Sequence, residues 1–274
     1  MNEEENIIKE LKDSGYPLEI EATLVLESKG WNVLNQEGYL DMEENKWRTI
    51  DILASKNIDL PSSSVYKQLH FSLAIECKKL EKPWVFWTRE KKPLRIFDPI
   101  AAFGLIKIES KPWLHPLHLK SLANRFHYYS ARFSKVALIP YEPFLKGGKS
   151  IIFEAKNQVI KFLLYEMKRT QDFLIMEEAK EKVEPQYKTI NLIALYFPLI
   201  IIDGKLYEME FEKDGSKLLP SNYIQYLTSF GFPHPEEFLI DIIKIDFLKE
   251  YLDMVEEELK QFATKIASIP PSYS

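Results

Sequence analysis

Three charged residues in this chain have the types and the spacing to bind a metal ion and activate a water molecule. Asp51 lies within the apolar segment 49–54, and Glu76 and Lys78 close the apolar segment 73–78. Charged groups inside apolar strands are costly to bury unless they are paired or bound to a metal. We therefore expect these three side chains to form one site.

The geometry of a β-strand determines which of these groups can meet. Side chains alternate across a strand, so Glu76 and Lys78 share one face while Cys77 points into the core. If the two strands are neighbours, the carboxylates of Asp51 and Glu76 converge. Two carboxylates and one backbone carbonyl, that of Cys77, suit a hard cation such as Mg²⁺ or Mn²⁺. His70 has the same parity as Glu76 and is expected on the same face.

Such a site has the chemistry to hydrolyse a phosphodiester. A bound divalent cation acts as a Lewis acid and lowers the pKa of a coordinated water. Lys78 beside the cation can orient or deprotonate that water, or stabilise the negative charge that develops on the phosphoryl oxygens. A lysine next to a bound cation loses its proton more readily, because like charge disfavours its charged form.

The elements that must position these residues follow the order helix, strand, strand, strand. Strands and helices then alternate, which favours an α/β layered fold around a mixed sheet. The predicted elements in chain order are helices 3–12 and 18–28, strands 31–34, 47–54 and 68–78, a helix 117–133, a strand 135–140, a helix 150–169, strands 189–202, 205–212 and 238–245, and a helix 246–267. An extension of the helix 150–169 to about residue 180 is left open.

Finer features of these elements are also predicted. Ile20, Leu24 and Val25 are spaced for the buried face of the second helix. Asp203-Gly204 between two apolar segments predicts a β-hairpin. Residues 55–68 are expected to form a loop, and the stretch 80–116, rich in proline and tryptophan, supports no assignment.

Charge is segregated along the chain, although the total is only −5. Residues 78–169 contain 19 Lys/Arg and 7 Asp/Glu, a net charge of +12, whereas the preceding and following segments carry −8 and −9. A localised positive region is typical of surfaces that bind the phosphate backbone of DNA. The basic residues expected to contact DNA are Lys79, Lys82, Arg89, Lys91, Lys92, Arg95 and Arg125.

Aromatic residues Trp84, Phe86 and Trp87 are interleaved with these basic residues. Bases stack on aromatic side chains, so this segment can form a loop that faces a nucleic acid. Tryptophans that anchor a core among solvated lysines would give the same pattern. The sequence leaves both interpretations open.

Composition excludes several other classes of protein. Apolar residues make up 46% and charged residues 28%, which is typical of a globular chain rather than a disordered one. Cys77 is the only cysteine, so no intramolecular disulfide can form, and no Cys/His cluster has zinc spacing. The longest apolar run, residues 191–202, is shorter than the roughly 20 residues that span a bilayer. With no apolar signal core at the acidic N-terminus, we expect a cytoplasmic protein without a membrane partner.

The layout resembles the PD-(D/E)xK nuclease superfamily, and within it archaeal Holliday-junction resolvases and Mrr-like restriction endonucleases. The matching segments are Leu18-Glu19-Ile20-Glu21 with the helix end at Lys29-Gly30-Trp31, Thr49-Ile50-Asp51-Ile52-Leu53-Ala54, and Ile75-Glu76-Cys77-Lys78. The resemblance covers roughly residues 15–80 and extends loosely to about 140. Ile50 stands where the motif name has proline, and the gap from Asp51 to Glu76 is longer than in compact resolvases.

The resemblance implies a metal-dependent endonuclease acting on DNA, of restriction or repair type. By position, Asp51 and Glu76 bind the metal, Lys78 serves the water, and Glu19 supports the metal site, with Glu21 as the alternative helix acid. The implied fold is a three-layer restriction-endonuclease-like core.

This implied core occupies residues 1–145, followed by a C-terminal α+β extension, residues 146–274, packed on the same sheet. Nucleases of this kind that cut two strands often dimerise, which leaves a homodimer open.

Other interpretations of the same residues remain open. Glu-x-Lys occurs about ten times in this chain, so the tripeptide by itself carries no weight. A second strand-like copy, Glu109 and Lys111 preceded by Asp98, is a rival site, weakened because Pro99 is a poor residue for a central strand. A scaffold that binds nucleic acid or a protein partner without cutting, or a purely structural sheet surface, would also account for the residues.

Overall fold

The computed structural model describes residues 3–90, 107–111, 135–142, 150–184, 191–212, 215–231 and 236–269. The helices are α1 (Glu3–Asp13), α2 (Tyr16–Ser28), α3 (Ile151–Val183) and α4 (Leu248–Ala267), with a 3₁₀ turn at Ile245–Phe247. The strands are β1 (Asn32–Asp41), β2 (Lys46–Asp59), β3 (Gln68–Lys79), β4 (Trp84–Glu90), β5 (Lys107–Lys111), β6 (Lys135–Tyr141), β7 (Leu192–Asp203), β8 (Leu206–Glu212), β9 (Gly215–Pro220), β10 (Tyr223–Phe230) and β11 (Glu236–Lys244). No helix in these ranges is long and apolar enough to cross a membrane.

One mixed sheet joins the described strands in the order β1-β2-β3-β7-β11-β10-β6-β4-β8-β9, and β5 pairs with β7. Strands β1, β2 and β3 form an antiparallel meander. Strand β7 lies parallel to β3 along its whole length, from Gln68↔Leu192 to Lys79↔Asp203. Because β7 is buried on both faces, it is an almost continuous apolar run, as expected for a parallel strand inside a sheet. The predicted α/β class with a mixed sheet is confirmed.

Helices cover the two faces of the sheet and create two apolar cores. On one face, α2 and α4 pack over side chains of β3 that include Ile75 and Cys77. On the other face, α3 packs through Val159 and Phe162 over side chains that include Ala74. Helices therefore cover both faces of β3. One face carries its odd-numbered side chains, and the other carries its even-numbered side chains.

Helix α3 begins at a capped N-terminus, which sets its position over the sheet. The Ser150 hydroxyl accepts a hydrogen bond from the Phe153 N–H at 3.1 Å. The Glu142 carboxylate accepts another from the Ile152 N–H at 2.8 Å. These bonds satisfy amides that a helix start otherwise leaves unpaired, so the segment predicted as a long helix starts next to the end of β6.

Most predicted elements are present, and strands β1 and β2 are longer than expected. Strand β2 continues through Asp59, so residues 55–59 of the predicted loop are strand and the connection to β3 is shorter. Strands β4 and β5 lie in the stretch that the sequence left unassigned, and β9 and β10 were not predicted. The predicted helix over residues 117–133 lies outside the described residues.

The predicted buried face of α2 is wrong for Ile20 and Leu24, whereas Val25 packs against the core as predicted. Ile20 and Leu24 are 57% and 61% exposed, whereas Leu18, Ala22 and Leu26 are buried against the sheet. This helix is apolar around most of its circumference, so spacing alone does not select a face.

The predicted hairpin at Asp203-Gly204 is also wrong, because β8 pairs with β4 and β9 rather than with β7. The β3–β4 and β7–β8 connections instead run side by side. The Leu80 N–H donates to the Asp203 carbonyl at 2.8 Å, and the Trp84 N–H donates to the Lys205 carbonyl at 2.9 Å. A Cβ at Gly204 would lie 2.6 Å from the Leu80 Cβ, so glycine permits this close approach.

Candidate active site

Strands β2 and β3 are antiparallel neighbours, as the convergence of Asp51 and Glu76 requires. Their recorded pairs run from Asp59↔Gln68 to Ile52↔Ile75 and end there, one residue before Asp51 and Glu76. Strand β3 continues beyond this point only against β7. The two carboxylates thus stand where the β2–β3 ladder stops, which frees backbone groups on that side of β3.

A matching irregularity between β1 and β2 affects Gln36 and Asp51. The two residues would face each other, but the register skips them while the pairs on both sides are intact. Gln36 has a left-handed backbone with φ +54°, which is uncommon for a residue with a side chain. Ile50 packs in the core under α3 and Ile52 in the core under α2 and α4, although regular alternation would place both on one face. The alternation of β2 is therefore broken at Asp51.

The Asp51 carboxylate accepts a hydrogen bond from β3 at the point where the backbone ladder between β2 and β3 has ended. Its Oδ2 accepts a hydrogen bond from the backbone N–H of Cys77 at 2.7 Å. The N–H and C=O of one residue point to the same side of a strand, so the Cys77 carbonyl also faces the β2 side. The Cys77 thiol points into the core instead, and burial raises its pKa well above the usual range. The oxygen of this residue, rather than its sulfur, is on the side of the carboxylates.

Glu76 is an almost fully buried carboxylate, with 1% of its surface exposed. The Lys78 ammonium donates to its Oε1, whereas its Oε2 is buried and has no hydrogen-bond partner. Burial raises the pKa of Glu76 to about 8, against the opposing effect of Lys78 and with a further increase from Asp51. An unpartnered buried carboxylate oxygen is costly, and a bound cation is one group that would satisfy it.

The ammonium of Lys78 belongs to the same cluster. Burial alone would lower the pKa of Lys78, but the charges of Glu76 and Asp51 more than offset this effect and the pKa is raised. Lys78 is therefore charged in the metal-free protein, and it is held beside Glu76 on the same face of β3, as strand parity predicts.

Glu19 reaches this cluster from α2. Its pKa is raised, first by burial and then by the Asp51 charge, while Gln36 and Lys78 act in the opposite direction. The Gln36 amide donates to the Glu19 Oε2 at 2.8 Å. Glu21 is exposed on the same helix. Of the two helix acids that the sequence left open, only Glu19 is directed toward Asp51 and Lys78.

Gln36 is the residue of this cluster that the sequence did not reveal. It carries no charge, and an amide within a strand gives no signal of its own. Its contact with Glu19 depends on its left-handed backbone and on the position of α2 over the sheet. Neither feature can be inferred from local spacing.

The oxygen atoms of this cluster fit a hard divalent cation such as Mg²⁺ or Mn²⁺. The donors are a carboxylate from Asp51, the unpartnered Oε2 of Glu76 and the carbonyl of Cys77. In the described part of the chain, no three Asp, Glu, His or Cys side chains are grouped closely enough to form a metal site by themselves. A cation here would need the backbone carbonyl and water as ligands.

The rival residues lie elsewhere along the sheet. Strand β5 places the backbone of Glu109 opposite Ala194 of β7, whereas Glu76 is opposite Ile200. Six residues of strand separate the two positions by about 20 Å. Lys111 is on the same short strand as Glu109, and Asp98 lies outside the described residues.

Three of the seven basic residues expected to contact DNA are described. Lys79 ends β3, Lys82 lies in the connection to β4, and Arg89 lies on β4, and all three are exposed. The other four, Lys91, Lys92, Arg95 and Arg125, lie outside the described residues. Trp84 and Phe86 are buried in the core under α3, so the core interpretation is correct for these two residues. Trp87 is half-buried, and both interpretations stay open for it.

His70 forms a hydrogen-bonded row with two other polar residues. Its Nδ1 is 2.7 Å from Asn57 Oδ1, and its Nε2 is 2.8 Å from Ser72 Oγ. Burial, followed by the charge of Arg169, lowers the pKa of His70. These contacts connect β2 and β3 within the paired part of the ladder, which gives His70 a structural role.

Comparison with protein-family models, with curated proteins and with solved structures gave no match.

Proposed function

We propose that this chain is a Mg²⁺- or Mn²⁺-dependent endonuclease that hydrolyses DNA phosphodiester bonds. Its site would be of the PD-(D/E)xK type, formed by Asp51, Glu76 and Lys78 and supported by Glu19. The observation that carries the proposal is the buried Oε2 of Glu76, which has no partner within a cluster of two further carboxylates and a lysine. The order α2-β1-β2-β3 supports the proposal, since it is the order expected of a restriction-endonuclease-like core.

The residues of the site have distinct roles in hydrolysis. Asp51, Glu76 and the Cys77 carbonyl would hold the cation, which when bound supplies Lewis-acid activation of the phosphoryl group and of water. Lys78 would orient the attacking water and donate to phosphoryl oxygens as they gain negative charge. Water adds to phosphorus, one phosphorus–oxygen ester bond breaks, and the leaving oxygen takes up a proton.

Exposed cations that follow the site residues in the chain support DNA as the partner. Lys79 directly follows Lys78, and Lys82 follows within the connection to β4. Phosphates attract such side chains without regard to base sequence. A homodimer remains a prediction, as does a cytoplasmic location.

A cleavage assay with matched variants tests the proposed function. The full chain is incubated with supercoiled, four-way-branched and single-stranded DNA in Mg²⁺, Mn²⁺ or EDTA. We expect cutting that requires the metal and that falls by about 100-fold or more in Asp51→Ala, Glu76→Gln and Lys78→Ala. Glu19→Ala should reduce cutting, whereas Glu21→Ala, which removes an exposed acid from the same helix, should not.

Each other outcome has a defined meaning. Cutting that survives both Asp51→Ala and Lys78→Ala contradicts this site. Cutting that is lost only in Glu109→Ala transfers the activity to the rival residues. DNA binding without cutting by the wild-type chain favours a scaffold that binds nucleic acid and does not cleave it.

A further inference from the structure

A cavity of about 560 Å³ lies between the β1–β2 hairpin and the first turns of α3. This volume is within the range of about 300–1,000 Å³ that is typical of sites for small organic ligands. The lining residues that matter for its chemistry are Tyr39, Asp41 and Arg48 from the hairpin, and Phe153, Asn157 and Lys161 from the helix.

Among the described lining residues, carboxylates outnumber cations: Asp41, Glu44 and Glu154 face Arg48 and Lys161. Buried Asp41 accepts hydrogen bonds from Arg48 Nε at 3.0 Å and from Lys161 Nζ at 2.8 Å. Arg48 also donates to Glu44 at 2.7 Å, and Lys161 lies 2.8 Å from Glu43. Both cations are therefore paired with carboxylates of the hairpin. A phosphate would meet these carboxylates, so an uncharged ligand fits the cavity better.

Two neutral polar groups in the cavity wall lack partners. The Oδ1 of Asn157 and the hydroxyl of Tyr39 are both buried and make no hydrogen bond. The Asn157 oxygen accepts an N–H, and the Tyr39 hydroxyl can donate or accept. Phe153 adds an apolar ring that is 56% exposed. A flat, neutral ligand with N–H donors and ring acceptors would satisfy this combination.

Tyr39 couples the cavity electrostatically to the proposed active site. Burial raises the pKa of Tyr39 to about 12, with further increases from Asp41 in the cavity and from Glu76 in the active site. Tyr39 packs edge-to-face against Phe162 of α3, in the core that also contains Ala74, two residues from Glu76 on the same face of β3. The charges of Asp41 in the cavity and of Glu76 in the active site therefore both act on the Tyr39 hydroxyl.

We propose that this cavity is a binding site for one nucleobase. A base taken out of a DNA stack is typically held by hydrogen bonds to its edge and by stacking on aromatic side chains. Asn157 and Tyr39 supply the hydrogen bonds here, and Phe153 supplies the stacking surface. The base comes either from DNA held at the active site, in which case the inference depends on the proposed function, or from a free nucleoside.

Two measurements distinguish these sources. Duplexes in which 2-aminopurine replaces each adenine in turn are mixed with the full wild-type chain in EDTA, so that no cleavage competes. A base from DNA raises the 2-aminopurine fluorescence at a defined position, because the probe leaves the stack. Calorimetric titration with adenosine, guanosine, cytidine and thymidine detects the free-nucleoside source.

Variants along α3 test whether the signal comes from the cavity. We expect Asn157→Leu and Phe153→Ala to weaken the fluorescence rise or the nucleoside binding by about tenfold. Phe173→Ala is the matched control, since Phe173 is 43% exposed on the same helix outside the cavity and should change neither signal. Because Phe153 is exposed, its variant is expected to fold, and thermal unfolding of each variant checks this.

The two proposals fail separately. DNA cleavage without either base signal, or a signal unchanged in both cavity variants, overturns the nucleobase site. A base signal that depends on Asn157, in a chain that cuts no DNA, overturns the proposed function and supports the cavity assignment.

Discussion

At the scale of single residues, two buried carboxylates of this chain have opposite environments. Asp41 is bonded to Arg48 and Lys161 and also accepts backbone N–H groups of the turn that follows it. Glu76 has one ammonium partner and an unpartnered oxygen. The first arrangement stabilises the charged form of the carboxylate in the folded protein, whereas the second disfavours the charged form unless a cation compensates it. Asp41 is therefore assigned to stability and Glu76 to the proposed function.

The environment of Asp41 predicts a pH-dependent contribution to stability. Burial alone would raise the pKa of Asp41, but Lys161 and the backbone N–H groups more than offset this and the pKa is lowered. The unfolded value is about 3.9, so the stabilising contribution is complete above roughly pH 5 and is lost as the pH falls through the lower folded value. Asp41→Asn should lower the free energy of unfolding at pH 7 by about 1–3 kcal/mol.

Denaturant unfolding of wild type and Asp41→Asn between pH 7 and pH 3 measures this effect. The difference between the two proteins should shrink at the acidic end. Asp253→Asn, which removes an exposed carboxylate paired with Lys29, is the control and should have a smaller effect. A difference for Asp41→Asn that is constant with pH would contradict the prediction.

Gln36 allows backbone strain and side-chain function to be separated. Gln36→Gly removes the strain of the left-handed conformation together with the amide that holds Glu19. Gln36→Ala removes the amide and keeps the strain. We expect the glycine variant to be more stable than the alanine variant by about 1 kcal/mol, because a Cβ disfavours this conformation.

Both Gln36 variants should also need more Mg²⁺ for half-maximal cleavage, because Glu19 loses the group that positions it. Equal stability of the two variants would show that the backbone is unstrained. An unchanged Mg²⁺ dependence would show that Gln36 does not position Glu19.

At the scale of elements, the β3–β4 and β7–β8 segments form a repeated pattern. Strand β3 runs parallel to β7, β4 runs parallel to β8, and the two connections touch at Leu80 and Gly204. The sequence suggested a hairpin at Asp203-Gly204 because the same residues favour chain reversal. Strand β8 pairs with β4, and this pairing depends on the β3–β4 connection, which lies more than 100 residues earlier in the chain. Local turn signals contain no information about that neighbour.

The contact between these connections predicts a large effect of adding one methyl group. Gly204→Ala would place a Cβ 2.6 Å from the Leu80 Cβ and is expected to destabilise the fold by about 2–4 kcal/mol. Gly215→Ala is the matched control, because Gly215 also has a positive φ but no atom within 4 Å of the added Cβ. It should cost about 1 kcal/mol.

Thermal or denaturant unfolding of the two glycine variants measures the difference. Equal losses of stability would mean that the backbone conformation, rather than contact with Leu80, requires glycine at position 204.

At the scale of the whole molecule, elements from both halves of the chain surround the candidate site. Strand β7 lies beside β3 over its full length, and α3 and α4 contribute to the two cores that cover its faces. On the edge of β7 that faces away from β3, the first residues pair with β5 and the last residues pair with β11. Pro198 lies between these two paired segments. A proline is tolerated there because the ladder on that side is interrupted. The domain boundary near residue 145 remains a prediction from sequence.

This arrangement predicts that residues 1–145 do not fold alone. Without β7, α3 and α4, the edge of β3 and its face under α3 would be exposed to water, and its other face would keep only the cover of α2. We expect the isolated fragment to aggregate or to lack a cooperative unfolding transition, whereas the full chain unfolds cooperatively. A soluble fragment with a sharp transition would contradict this expectation and would support a boundary near residue 145.

The sequence by itself determined those features of the site that depend on local periodicity. Side chains two residues apart share a strand face, which places Glu76 and Lys78 together, and the segments carrying Asp51 and Glu76 are recognisable as strands. Tertiary structure alone decided that Glu19 rather than Glu21 faces the cluster, that Gln36 holds it, and that Glu76 is almost fully buried. These features depend on contacts between segments distant in the chain, and the pattern of one segment does not specify which distant segment packs against it.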